Sequence, residues 1–166
     1  PGAELVTNIK RQGANVVLDD SIELWIDPPS EGREEGALAQ GYFQLIVNKA
    51  GIMTRRHHAP GYGLSAQKWS VEPTMANRRT EDGFWEFELA IPFEQFGIQD
   101  IVLPSDWGFN LSRNWKRPWN QANLTPAVNF GNRELFVKLH FTPNKPVARM
   151  LSLGELRSGN ADLALA

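Results

Sequence analysis

The strongest constraint on this chain is the period of its apolar residues, which is two and is broken every few residues by proline or glycine. Ile22, Leu24 and Ile26 alternate with Glu23, Trp25 and Asp27 until Pro28-Pro29 ends the run, and a polar, Gly-containing loop follows from Ser30 to Gly41. Tyr42 to Asn48 is a second strand with Phe43, Leu45 and Val47 inward; Lys49-Ala50-Gly51 is a tight turn, and Ile52 to Arg56 returns as the hairpin partner. His57 to Leu64 is expected to be a loop, and Trp69 to Met75 a strand held to an edge by Pro73. After the Glu81-Asp82-Gly83 turn, Phe84 to Ile91 turns Trp85, Phe87, Leu89 and Ile91 inward. Pro92 to Gly97 then reads as one helical turn, with proline at its start and glycine at its end. Trp107 to Trp115 alternates again, with Trp107, Phe109 and Leu111 on one side and Asn110, Ser112 and Asn114 on the other. A long loop is expected from Lys116 through Pro126, and Leu135, Val137 and Leu139 form a last strand before Pro143. With no heptad, no long helix, no internal repeat and no βαβ rhythm, the pattern predicts an all-β chain, an antiparallel β-sandwich of jelly-roll or immunoglobulin-like type.

Composition narrows the function. The 166 residues fit one domain, assigned here to residues 1–143. Residues 144–166 change texture: a linker at Asn144-Lys145-Pro146 is followed by two short apolar runs about a Ser158-Gly159-Asn160 turn. They could be a last hairpin of the same domain, and the preferred reading is a linker or the start of a following β-domain. A net charge of −2 supplies no basic field for nucleic acid, and no apolar run approaches the ~20 residues that span a bilayer. The absence of cysteine removes disulfides, thiolate nucleophiles and thiolate metal sites. Opening at Pro1, the sequence reads as a processed product or excised segment of a larger multidomain protein.

The outer strand faces carry the chemistry. Glu23, Trp25 and Asp27 on one strand would meet Gln44, Ile46 and Asn48 on the next and Asn110, Ser112 and Asn114 on another, with Glu86 and Glu88 offered by the Trp85 strand. Sugar hydroxyls donate and accept hydrogen bonds, so carboxylates and amides match them, while the C–H face of a pyranose rests on an aromatic plane. Trp115 and Trp119 stand with Arg113, Lys116, Arg117, Asn120 and Gln121 in one aromatic, basic region. The candidate ligand-binding residues are therefore Glu23, Trp25, Gln44, Asn48, Arg113, Asn114, Trp115 and Trp119. An ordinary solvated sheet face would show the same alternation.

Other chemistries fit less well. Glu86 and Glu88 are neighbours on one strand without a cleft, which makes a glycoside hydrolase the lesser alternative and no catalytic residue is assigned. His57 and His58 point to opposite faces of an extended chain and read as exposed loop histidines rather than a metal site. Met53, Met75, His57 and His140 would serve a haem, but no Cys-x-x-Cys-His tether is present.

Four ordered segments resemble family 9 carbohydrate-binding modules. They are Asp19 to Pro28, Tyr42 to Gly51, Gly83 to Phe93 and Trp107 to Asn114, with Phe130-Gly131 matching the family's closing pair. The resemblance covers about residues 15 to 141 and lacks recognisable opening strands. It implies a β-sandwich without catalytic activity and without a cofactor, structural calcium at Asp19-Asp20 being the one option. Such a domain binds polysaccharide or oligosaccharide and targets a secreted, cell-surface or periplasmic protein of bacterial type, often linked to a glycoside hydrolase. Asp20 and Glu23 occupy positions near the family's sugar site. Val17 and Leu124 fall where its two stacking tryptophans would stand, and Ile46 replaces an expected arginine. The contrasting expectation is a structural or interaction β-domain that packs on neighbouring domains of the same polypeptide through the Trp119 region.

Overall fold

The computed structural model describes residues 4–31, 33, 40–60, 67–126 and 128–142, and two short strands beyond them. The strands are β1 (Ser21–Asp27), β2 (Tyr42–Asn48), β3 (Met53–His58), β4 (Gln67–Lys68), β5 (Thr74–Arg79), β6 (Trp85–Ala90), β7 (Ser105–Lys116), β8 (Trp119–Asn123), β9 (Val137–Phe141), β10 (Met150–Leu153) and β11 (Leu163–Leu165). Every strand pair is antiparallel.

The main sheet runs β4-β3-β2-β1-β7-β8, and β9 pairs with the first half of β7. Long β7 can serve both partners because β9 matches Ser105 to Phe109 and β8 matches Ser112 to Lys116. Ile26, Phe43, Leu45, Val47 and Trp107 point to one face of this sheet and are buried. The β5–β6 hairpin lies against that face through Met75, Trp85, Phe87 and Leu89, which makes the second layer of the sandwich. Phe93 and Phe96, on a short 3₁₀ turn after Pro92, close the core against Trp107, and Gly97 ends the turn at φ +79°.

Several boundaries depart from the sequence reading. Trp69 and Val71 are buried in an irregular segment, and the strand expected there begins only at Thr74, after Pro73. Proline has no N–H to give a ladder, so pairing starts beyond it. His57 and His58 extend β3 opposite Phe43 and Tyr42 instead of starting a loop. The expected long loop after Lys116 contains β8, and Leu135 sits on a 3₁₀ turn, leaving Val137 to open β9. Glu86 and Glu88 belong to the separate hairpin, so they do not join the polar face of the main sheet. In the tail β10 and β11 pair as a hairpin; the expected linker and turn residues fall outside the described ones.

Candidate functional site

The second face of the main sheet is polar, as alternation implies. Register places Glu23 and Trp25 of β1 beside Ile46 and Gln44 of β2 and beside Ser112 and Asn110 of β7. Of these, Glu23 and Gln44 join Asn114, Gln121 and His58 in a continuous hydrogen-bonded row. Asn114 Nδ2 donates to Glu23 Oε1 at 2.8 Å, and Gln44 Nε2 donates to Glu23 Oε2 at 2.8 Å. The row extends at one end to Gln121, whose Nε2 donates to Asn114 Oδ1 at 2.7 Å, and at the other to His58, whose Nε2 lies 3.1 Å from Gln44 Oε1. It thus crosses β3, β2, β1, β7 and β8, with one carboxylate at its centre. Burial pushes the His58 imidazole down to about 4, with Arg56 and His57 adding to the effect. At neutral pH the ring is uncharged, and as an Nε2–H tautomer it donates to Gln44 Oε1.

A solvated face was one expectation; the structure shows a covered one. Glu23 is 3% exposed, and Gln44, Asn48, Asn110, Ser112 and Asn114 are also buried. Two irregular segments lie over them. Asp19 accepts from the backbone N–H groups of Asn8 and Ile9, and Asp20 from those of Val6 and Lys116, which straps the N-terminal stretch to the sheet. Asn48 completes the strap: its Nδ2 donates to Asp19 Oδ2 and Ile9 O, while its Oδ1 accepts from Ala50 and Ile52 and shapes the β2–β3 turn. The stretch continues to Thr54, whose hydroxyl meets Val16 N and Ala14 O. Over the other half, Phe130 O accepts from Asn110 Nδ2, and Gly131 lies so close that an added Cβ would stand 3.0 Å from the Trp25 ring.

This cover corrects the role expected of Trp25. At 7% exposure, its indole sits among Tyr42, His58 and Gly131 and presents no face to a ligand. Arg113 and Trp115 are corrected as well. Flanking Asn114 on β7, they point to the opposite, apolar side, where the Arg113 guanidinium stacks 4.2 Å from the Trp115 ring. Burial lowers the Arg113 pKa against the pull of Asp20. Nor are His57 and His58 exposed: His57 stacks on Phe43 and contacts Gln40 O, and His58 stacks on Tyr42. No group of three or more His, Asp or Glu able to hold a metal occurs among the described residues.

Of the expected residues, Glu23, Gln44 and Asn114 come together in the covered row, Asn48 fastens the N-terminal strap beside it, and Trp119 stands at the row's open end. Trp119 is 63% exposed, on the same face as Gln121 two residues on in β8. Sequence reasoning gave no separate role to Lys116, which pairs across the hairpin with Trp119 and places its Nζ 3.6 Å from the centre of the indole. The signal was present in the spacing: a two-residue turn at Arg117-Pro118 makes Lys116 and Trp119 direct cross-strand neighbours.

No protein-family model and no curated protein matches this chain. One solved structure shares the fold, that of a Bacteroides uniformis protein described as a putative carbohydrate-binding protein. The match has a TM-score of 0.60 at 15% identity and covers 82% of this chain and 67% of that one. No helix of the described residues is long and apolar enough to cross a membrane.

Proposed function

We propose that this domain binds carbohydrate without catalysing its turnover, using the open end of the polar sheet face at the β7–β8 hairpin. The observation that carries the reading is Trp119, a large aromatic plane left 63% exposed where a row of amides reaches the surface through Gln121. An exposed indole suits the C–H face of a pyranose, and the neighbouring amides suit its hydroxyls. The shared fold with a protein described as carbohydrate-binding, and the resemblance to family 9 modules, support the same reading. Such a module would serve a protein outside the cytoplasm, where polysaccharide is met. Binding of the purified chain to a glycan array and to soluble polysaccharides in affinity gels tests it. Retardation by at least one glycan, abolished by Trp119→Ala, is the expected result; a chain indifferent to every glycan refutes the proposal.

A further inference from the structure

Lys116 has hydrogen-bonding capacity that the fold does not use. Its Nζ is buried and has no hydrogen-bond partner, although an ammonium brings three donors. The neighbouring carboxylate oxygens are engaged elsewhere: those of Asp20 by Val6 N and Lys116 N, those of Glu23 by Asn114 and Gln44. What roofs the ammonium is the face of Trp119, and a cation–π contact replaces charge-assisted hydrogen bonds only in part. Burial pulls the Lys116 pKa down, opposed by Asp20, Glu23 and Asp19. Trp119 itself is mostly in water, and among the described residues Lys116 is its only charged or aromatic ring partner.

We propose that Trp119 is a movable cover over Lys116, and that sugar hydroxyls replace the indole as partners of Lys116 Nζ when a glycan binds. The inference rests on the carbohydrate reading above and adds a binding residue and a motion to it. No ligand atom reaches Nζ while the indole lies on it, so binding through Lys116 requires the ring to move. An exposed side chain changes rotamer within nanoseconds, and the displaced ring then stands at the margin of the site, free to stack on the sugar.

The test uses the whole chain. Acetylation of Lys116 by acetic anhydride, read by peptide mass, is compared between the unmodified chain and Trp119→Ala. Calorimetric titrations with short xylo-, gluco- and manno-oligosaccharides are run on both and on Lys116→Met and Lys116→Arg, with unfolding midpoints as the control for folding. Uncovering Nζ should raise acetylation about tenfold or more in Trp119→Ala. Lys116→Met should weaken oligosaccharide binding about tenfold or more, and Lys116→Arg should keep part of it. Equal acetylation in the two chains overturns the cover. Full affinity in Lys116→Met, with loss in Trp119→Ala, overturns the role of Lys116 and leaves the carbohydrate reading standing. Failure of all the oligosaccharides to bind the unmodified chain overturns the inference, and the glycan array then decides the carbohydrate reading separately.

Discussion

Moving the central carboxylate by one strand separates a structural Glu23 from a ligand-binding one. In Glu23→Gln, Oε1 can still accept from Asn114 Nδ2, but the new amide NH₂ meets the NH₂ of Gln44, donor against donor. One buried charge-assisted bond is lost, at a cost of about 1.5–3 kcal/mol. Glu23→Ala leaves Gln44 Nε2 without its acceptor and Asn114 Nδ2 with only Ser21 Oγ at 3.2 Å, and opens a void, for about 2–5 kcal/mol. In the double variant Glu23→Gln/Gln44→Glu every group is paired again. Gln at position 23 accepts from Asn114 and donates to the new carboxylate at 44, which also accepts from His58 Nε2–H. The network therefore predicts recovery to within about 1 kcal/mol of the unmodified chain, a coupling far outside the additivity of independent sites.

Urea unfolding followed by tryptophan fluorescence measures all four proteins, with constant m-values confirming that the midpoint shifts report stability. For a chain of this size each kcal/mol moves the thermal midpoint by about 2–4 °C, so Glu23→Ala should fall well below the others. Additive losses in the double variant would refute the proposed network. A Glu23→Gln chain of unchanged stability but impaired glycan binding would show instead that the carboxylate faces ligand.

Three further outcomes are expected. Trp119→Ala should leave the free energy of unfolding within about 0.5 kcal/mol of the parent, because the ring is exposed, and a larger loss in urea unfolding would make it a structural residue. Gly131→Ala should destabilise by about 1–3 kcal/mol, since its Cβ would lie 3.0 Å from Trp25 and 3.2 Å from the Tyr42 hydroxyl; an unchanged thermal midpoint would mean the loop yields freely. His58 gives a pH dependence. Its folded pKa, about 4, lies below the ordinary 6.5, so the unfolded chain binds more protons between these values and stability falls as pH drops from 6.5 towards 4. With the ring partly exposed, solvent screening reduces this contribution to about 1–2 kcal/mol. His58→Gln should remove that share from the profile of urea midpoints against pH, while His57, also shifted down, keeps its own; superimposable profiles would exclude His58 as the source.

Much of the sandwich was legible because strands that bury one face must alternate. The runs around Leu24, Leu45, Phe87 and Phe109 all took the faces that alternation assigns. Alternation is silent where the side chains do not contrast. Trp119-Asn120-Gln121-Ala122-Asn123 has no apolar period, so β8 could not be told from a loop, although its backbone pairs fully with β7. The cover on the polar face was hidden for a related reason. Period two tells which residues share a face, not what lies above it, and the covering segments are irregular chain fastened by Asp19, Asp20, Asn48 and Asn110. Once that cover is known, the Asp19-Asp20 pair has a plain physical reason: each aspartate binds two backbone N–H groups that would otherwise be unpaired.

Residue type alone does not single out a binding site, because amides and carboxylates serve a buried network and a sugar surface equally well. Unmet hydrogen-bonding capacity together with access tells the two apart. Glu23, Gln44 and Asn114 bond one another across β2, β1 and β7, so a ligand could engage them only by breaking bonds already made. Asn110 Oδ1 and Trp25 Nε1 are unpaired, yet they lie sealed beneath the Phe130-Gly131 loop, where no glycan reaches. Lys116 Nζ is also unpaired, and its roof is a side chain that stands mostly in water. Capacity and access coincide there, at the hairpin end of the sheet, which is why we propose binding at Lys116 and Trp119 rather than at the carboxylate row.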